Sequence, residues 1–276
     1  MIDLHTHSNA SDGSLSPAEL IALAAERGLG AIALTDHDTL AGLAEAKNAA
    51  EGRGIRFIGG VEIEIAWEPG ECHLLGLGLG EPSEGLRLAL EELAAGRHER
   101  NLRMLGLMKE AGMEASWEEL ASHAAGSVVG RPHFAALMVA RKFARNTEQA
   151  FNRFLGKGRS MYLPKAGLEF TRAISLIKES GGVAVLAHPL SLYVSWGRLP
   201  GILSEWKELG LDGIEAWHPI ARVASCQRLE TLGRSLGYLV TAGSDFHGGA
   251  RVERKLGITA GGKKIDESYL EGIPSH

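Results

Sequence analysis

Histidines and carboxylates recur in this chain at spacings that suit metal coordination. His5-Thr6-His7 follows a short apolar opening, Met1–Leu4. Alternate residues of an extended segment share a face, so both imidazoles can address one ion. Asp12 comes next, in Ser11-Asp12-Gly13, where an Asx-type turn is the competing role. Thr35-Asp36-His37-Asp38 sits at the exit of the apolar run Gly30–Leu34. Polar groups at the mouth of a buried strand are costly unless they find partners. Asp38 or Thr39 is expected to cap the helix that begins near Leu40. Glu62 and Glu64, in Gly60-Val61-Glu62-Ile63-Glu64, lie on one strand face; one suits a metal site and the other a solvent-facing edge. His73 stands in the apolar run Cys72–Gly78, where a core histidine is the plainer role. His188 closes Val185-Leu186-Ala187, and Asp245-Phe246-His247 repeats the alternating spacing after Tyr238–Ala242.

Each signal is modest alone. Together they put six of the 11 histidines and three carboxylates beside the ends of successive strands. In α/β folds those ends converge on one mouth, where active sites are built. Imidazole and carboxylate donors without thiolate suit Mn²⁺, Fe²⁺ or Zn²⁺. Nine donors exceed one ion and match two or three that share bridging carboxylates.

The elements that must position these groups alternate along the first third of the chain. Ser16-Pro17-Ala18-Glu19 reads as an N-cap, a proline at the first helical position and an acidic first turn, with Gly28 as the stop. A second helix spans about Leu40–Glu51. Arg56–Ile65 and Cys72–Gly78 read as strands joined by a turn over Trp67–Glu71. This alternation predicts a parallel α/β sheet or barrel. From about Glu81 to Lys165 strand signals cease. Helical periodicity covers Glu84–Ala111, Trp117–Ala124, Pro132–Ala144 and Thr147–Leu155, and arginines and lysines are frequent. The α/β alternation resumes with a helix over Arg172–Ser180. Strands Gly182–Ala187, Gly213–Trp217 and Tyr238–Ala242 then alternate with helices Pro200–Leu209 and Ala221–Leu236. The expected domains are a barrel over 1–80 and 166–276, and a helical insertion over 81–165.

At 276 residues, 45% hydrophobic and 23% charged, the chain is long enough for a large core, and neither disorder nor a coiled coil describes it. No apolar run approaches the ~18 residues of a membrane span. The start has no basic and apolar signal-peptide pattern, and two cysteines make no disulfide framework, so a reducing cytoplasm is the expected location. A net charge of −5 argues against a broad duplex-DNA surface and leaves a small anionic substrate open. Neither a membrane nor an obligate protein partner is expected.

The motifs H-T-H-S…S-D-G (His5–Gly13), L-T-D-H-D (Leu34–Asp38), G-V-E (Gly60–Glu62), H-L-L-G-L-G (His73–Gly78), A-H-P (Ala187–Pro189) and G-S-D-F-H (Gly243–His247) appear in an order that resembles the polymerase and histidinol phosphatase (PHP) superfamily of metal-dependent phosphoesterases. The resemblance spans nearly the whole chain. It implies a distorted (β/α)7 TIM-like barrel with a trinuclear centre. Position by position, it implies one ion on His5, His7, Glu62 and Asp245. A second would share Glu62 and use His73 and His188, and a third would use Asp12, His37 and His247. Manganese is the first expectation, with Fe²⁺ or Zn²⁺ as alternatives. Asp12, His37 and His247 would serve catalysis through the third ion, and Asp36 would orient a ligand imidazole.

Within the superfamily, Gly130-Arg131-Pro132-His133-Phe134-Ala135 resembles the branch acting on nucleoside 3′,5′-bisphosphates and short 5′-phosphorylated oligoribonucleotides. That branch usually has Arg-Thr-His-Phe-Ala, so Pro132 costs a hydroxyl and a backbone N–H. The match assigns Arg131 and His133 to substrate phosphate; a local role at the start of a helix is the alternative. Glu215, His218, Tyr162 and Lys165 are weaker candidates. His98, His123 and His276 read as surface residues. The implied reaction is hydrolysis by a metal-activated hydroxide. A histidinol-phosphate-type or other small-monoester phosphatase is the main rival, and a non-catalytic metal-bound module is the rival of another class. An amidohydrolase lacks support, because no lysine stands at a strand end to bridge two metals.

Overall fold

The structure is a computed structural model that describes residues 1–124 and 128–275, so His276 lies outside the described residues. The chain divides into two compact units, Met1–Glu91 with Gly167–His276, and Glu92–Ala166.

The first unit holds a sheet of seven strands in chain order. These are β1 (Ile2–Asp3), β2 (Ala31–Leu34), β3 (Arg56–Ile65), β4 (Cys72–Leu77), β5 (Val183–Leu186), β6 (Gly213–Trp217) and β7 (Leu239–Ala242). Neighbours β1–β2–β3 and β5–β6–β7 pair in parallel. A bridge between Thr6 and Phe246, beyond the ends of β1 and β7, brings the first and last strands together and nearly closes the barrel.

The expectation of a parallel sheet is corrected at β4, which pairs antiparallel with both β3 and β5. A parallel crossover needs a dozen or more residues, and the connection 66–71 is too short for one. Reversal puts the start of β4, not its end, at the mouth. His73 therefore faces Glu64 in register on β3.

Helices cover the outside of the sheet. Helix α1 (Pro17–Glu26) opens with the expected capping box: Ser16 Oγ accepts from Glu19 N at 3.2 Å, and Glu19 Oε2 accepts from Ser16 N at 2.8 Å. Leu20, Ile21 and Ala24 pack onto Ile32 and Leu34 of β2. Helix α2 (Leu43–Ala50) starts later than expected and corrects its cap. Gly42 stands at the N-cap without a side-chain bond. Thr39 Oγ1 accepts from Ala41 N, and Asp38 Oδ1 accepts from Glu64 N at 2.9 Å. Asp38, at φ 50°, thus ties the exit of β2 to β3.

Helix α3 (Glu84–Glu110) spans the boundary between the units. The second unit is helical. It contains α4 (Trp117–Ser122), α5 (Arg131–Ala140) and α6 (Thr147–Ala150), the last widening into a π turn over Phe151–Leu155. Its core is Met104, Met108, Leu120, Phe134, Leu137, Met138, Leu155 and Met161. Helix α5 is shorter than the sequence pattern suggests, because Lys142 turns left-handed at φ 61°. Helices α7 (Phe170–Glu179), α8 (Leu199–Glu208) and α9 (Val223–Ser235) return to the first unit. No helix among the described residues is long and apolar enough to cross a membrane.

Candidate metal centre

The backbone carries the histidines to one place by extending its pairing past the strand ends. His7 N donates to Phe246 O, Thr35 N to Thr6 O, Glu62 N to Asp36 O, and Ala187 N to His73 O. Gly243 is required at this crowded rim: a Cβ there would collide with Cβ of His5 and Oε1 of Glu215.

Glu62 is the hub. Its Oε2 lies 3.3 Å from Nε2 of His5, 3.3 Å from Nε2 of His7 and 3.0 Å from Nδ1 of His37. Its Oε1 lies 2.8 Å from Nδ1 of His73 and 2.9 Å from Nε2 of His188. Asp245 closes the opposite side, with Oδ1 at 3.6, 3.2 and 3.3 Å from His5, His7 and His247. Asp12 reaches His247 Nε2 at 3.2 Å and His37 Nε2 at 3.9 Å. All nine residues that the sequence singles out as metal donors meet in one cluster. The donor atoms form three groups within 4.8 Å: His7, Asp12, His37 and His247; His5, His7 and Asp245; His37, Glu62 and His73. His7 and His37 each belong to two groups, which differs from the allotment that the resemblance implies.

Hydrogen bonding shows which way the imidazoles present their lone pairs. Ser191 Oγ donates its one hydrogen to Glu71 O at 3.0 Å, so at 2.8 Å it accepts from Nδ1–H of His188. Nε2 of His188 is then a bare lone pair facing the Glu62 carboxylate. His247 Nδ1 lies 2.7 Å from the Asp245 carbonyl, which only accepts, so its Nε2 is bare toward Asp12. His5 Nδ1 faces Glu215 Oε1 at 3.0 Å, which aims Nε2 at Glu62 and Asp245. Nδ1 of His7, Nε2 of His73 and Nε2 of His247 are buried and make no hydrogen bond among the described residues. Lone pairs turned onto carboxylates about 3 Å away, which is the spacing of neighbouring ligands around one ion with ~2.1 Å bonds, fit divalent cations.

The electrostatics agree. Burial opposes charging His5 and His73, yet the carboxylates outweigh it: Glu215 and Glu62 raise His5 to about 10, and Glu62 and Glu64 raise His73 to about 10. Burial keeps His37 and His188 below the ordinary imidazole value and takes His247 to about 4. Burial resists ionisation of Asp12 and Glu62, but the surrounding imidazoles hold both well below the usual carboxylate range. Without cations, the carboxylates of the cluster draw protons onto His5 and His73.

Other residues brace the donors. Asp36, expected to orient an imidazole, instead accepts from Ser8 N, Ser8 Oγ and Ser11 Oγ at 2.8, 2.6 and 2.6 Å, and so holds the loop between His7 and Asp12. Buried Asp3 does the same for the far loop: it accepts from Ser244 and from Gly257 N, and burial raises its carboxyl to about 6. Glu64, read as a candidate edge residue, has its Oε2 3.3 Å from His73 Nε2. Glu215 Oε2 also accepts from His188 N at 2.8 Å. His218 Nδ1 accepts from Ile220 N, so its Nε2–H donates to Asp245 Oδ2 at 3.0 Å. Arg254 donates to the same oxygen and to Asp245 O. Asp3 and Arg254 are the supporting residues that sequence reasoning missed; Arg254 lies in the loop beyond β7, and neither stands in a recognisable motif.

In the helical unit, Arg131 opens α5 and its guanidinium lies 5.3 Å from the Tyr162 ring centroid. Nδ1 of His133 accepts from Gly130 N at 3.0 Å, closing the N-terminus of the same helix. Lys165 is exposed. His98 is exposed and stacks edge-on to Trp117, while His123 is half-buried. Both cysteines are buried and free.

Comparison with known proteins follows the same lines. Residues 3–153 match the family model described as PHP domain. The chain is 34% identical over 245 residues to a 5′-3′ exoribonuclease of Haemophilus influenzae, covering 89% of each. It is 31% identical over 259 residues to a 3′,5′-nucleoside bisphosphate phosphatase of Chromobacterium violaceum, covering 94% of this chain and 91% of the relative. A solved structure described as an amidohydrolase from Chromobacterium violaceum, with bound sulfate and no metal, superposes with a TM-score of 0.83 at 30% identity, covering 96% of this chain and 92% of that one. Its donor cluster, its barrel and its full-length likeness to enzymes named for cutting phosphate esters make this chain a phosphoesterase of the PHP domain family.

Proposed function

We propose that the protein hydrolyses the bond between phosphorus and the 3′-oxygen of 5′-phosphorylated nucleotides. On a nucleoside 3′,5′-bisphosphate such as pAp this releases inorganic phosphate and AMP. On a short 5′-phosphorylated RNA the same cleavage releases a nucleoside 5′-monophosphate and a chain one nucleotide shorter. The observation that carries the reading is that two relatives, similar along nearly their whole length and named for different activities, require only one scissile bond between them.

His5, His7, Asp12, His37, Glu62, His73, His188, Asp245 and His247 would hold two to three divalent ions, with Mn²⁺ preferred and Fe²⁺ or Zn²⁺ as alternatives for this donor set. When bound, such ions acidify water and neutralise phosphoryl charge. Water oxygen bonds to phosphorus, the bond to the 3′-oxygen breaks, and the departing oxygen gains a proton. Asp12, His37 and His247 act at the reacting phosphate. Asp36 acts indirectly, by fixing the loop that presents Asp12. Arg131 and His133, in the helical unit, take the 5′-phosphate, and a planar guanidinium suits that group. The site of action is the cytoplasm.

The test is phosphate or nucleotide release after EDTA stripping and Mn²⁺ reloading. Adenosine 3′,5′-bisphosphate, a 5′-phosphorylated RNA dinucleotide and histidinol phosphate are compared side by side. Metal-dependent preference for the first two is expected. Preference for histidinol phosphate, or an Arg131→Ala variant with unchanged KM for the bisphosphate, overturns the assignment of the 5′-phosphate.

A further inference from the structure

A second feature of the first unit lies outside the metal cluster and has chemistry of its own. The connection from β5 to α8 leaves the cluster at His188 and carries two aromatic residues, Tyr193 and Trp196. Tyr193 is 75% exposed. Trp196 lines a groove of ≈ 460 Å³ with Pro200, Gln227, Arg228, Thr231 and Leu232. That volume falls within the roughly 300–1,000 Å³ of small-molecule pockets. One face of the indole is covered by a cation: the Arg228 guanidinium lies 4.3 Å from the ring centroid. Gln227 and Thr231, one helical turn apart on α9, add hydrogen-bonding groups along the wall.

Of the groove's lining residues Arg228 is the cation; it is exposed and makes no ion pair among the described residues. An aromatic platform with a guanidinium beside it is a combination that binds single-stranded nucleic acid: bases stack on the ring and a phosphate meets the cation. A substrate cut at its first internucleotide bond still has the rest of its strand to place. That strand begins at the cluster, where this connection also begins.

We propose that the groove between the start of α8 and α9 is a binding site for the downstream part of a single-stranded RNA substrate. A base stacks on Trp196, and Arg228 takes a neighbouring phosphate. The proposal rests on the RNA-trimming half of the function above. It makes Trp196 and Arg228 determinants of substrate length, with no part in cleaving a nucleoside bisphosphate.

The test is steady-state kinetics of the Mn²⁺-loaded protein on adenosine 3′,5′-bisphosphate and on 5′-phosphorylated oligoribonucleotides of increasing length. For wild type, KM is expected to fall as the RNA grows beyond a dinucleotide. Trp196→Ala should raise KM for the longer RNAs about ten-fold, the effect of losing one stacked base. kcat and all parameters for the bisphosphate should stay at wild-type values, and Trp196→Phe should restore most of the affinity. Arg228→Ala, an exposed helix position that does not threaten folding, should weaken the same RNAs and flatten the dependence of KM on salt. Unchanged KM for long RNA in both Trp196→Ala and Arg228→Ala overturns the groove assignment while the trimming activity stands, and is the outcome if the groove serves a protein partner. Wild type that cleaves the bisphosphate and no RNA overturns the RNA half of the function, and this proposal with it.

Discussion

Nδ1 of His5 and Oε1 of Glu215 lie 3.0 Å apart, both buried, although 210 residues separate them. The contact ties the exit of β1 to β6 and directs Nε2 of His5 at the donor cluster. The other Glu215 oxygen holds the backbone of His188. Glu215→Gln keeps the shape but removes the charge that orients and polarises His5. Metal affinity or kcat should fall about 10–100-fold, as for other partners of ligand imidazoles. Metal content by plasma emission, read beside kcat, checks this; wild-type values for both would remove Glu215 from the machinery.

Asp12 is the most accessible of the carboxylates in the cluster, with its side chain 29% exposed; it faces the imidazoles of His7, His37 and His247 and accepts from the neighbouring Ser11 hydroxyl. Its loss should therefore spare the fold. Asp12→Asn is expected to lower kcat by orders of magnitude, with the far-ultraviolet spectrum close to wild type. Near-normal turnover would exclude the group formed by Asp12, His37 and His247 from the reaction.

Arg254 braces a residue whose backbone is left-handed at φ 50°, by bonding both the carboxylate and the carbonyl of Asp245. Arg254→Met preserves much of the side-chain volume and removes both bonds. Asp245 should then present Oδ1 less faithfully, and bound-metal stoichiometry should drop while Arg254→Lys recovers part of it. Stoichiometry unchanged in Arg254→Met would make the arginine dispensable.

Metal removal should make stability depend on pH in a defined direction. His5 and His73 rise from 6.5 to about 10 in the metal-free fold. A raised folded-state value stabilises fully below the unfolded value and is lost as pH climbs through the folded one. The histidines with lowered values lose the unfolded-state proton as well by about pH 7.5 and contribute nothing above it. Burial lifts the Cys72 thiol from 9.0 to about 12, which acts in the same direction near and above pH 9. Between about pH 7.5 and 9 the EDTA-stripped protein should thus lose Tm as pH rises. The Mn²⁺-loaded protein has cations where those protons were, so the gap between the two should widen. A constant gap, read by scanning calorimetry across that window, contradicts this.

Much of the candidate site is legible along the chain, because short-range geometry sets it. Extended backbone turns His5 and His7 to one side, and the same alternation brings Asp245 and His247 together. Apolar runs ending in histidine mark strand exits, and a shared mouth follows from α/β packing. The capping box at Ser16 and Glu19 is equally local. Where the competing partner is distant, the reading is less secure. Asp36 finds serines instead of an imidazole because the His7–Asp12 loop folds over it. Thr39 and Asp38 do not cap α2, because Asp38 is spent on the backbone of Glu64.

The sequence by itself determined which side chains could bind metal, the alternation of strand and helix, and the helical stretch between the two parts of the barrel. Periodicity and donor chemistry are properties of neighbouring residues. Only the tertiary structure decided the meeting of five imidazoles on Glu62 and the support from Glu215, His218 and Arg254. Those depend on contacts between residues far apart in the chain, and only the closing of the sheet makes them neighbours.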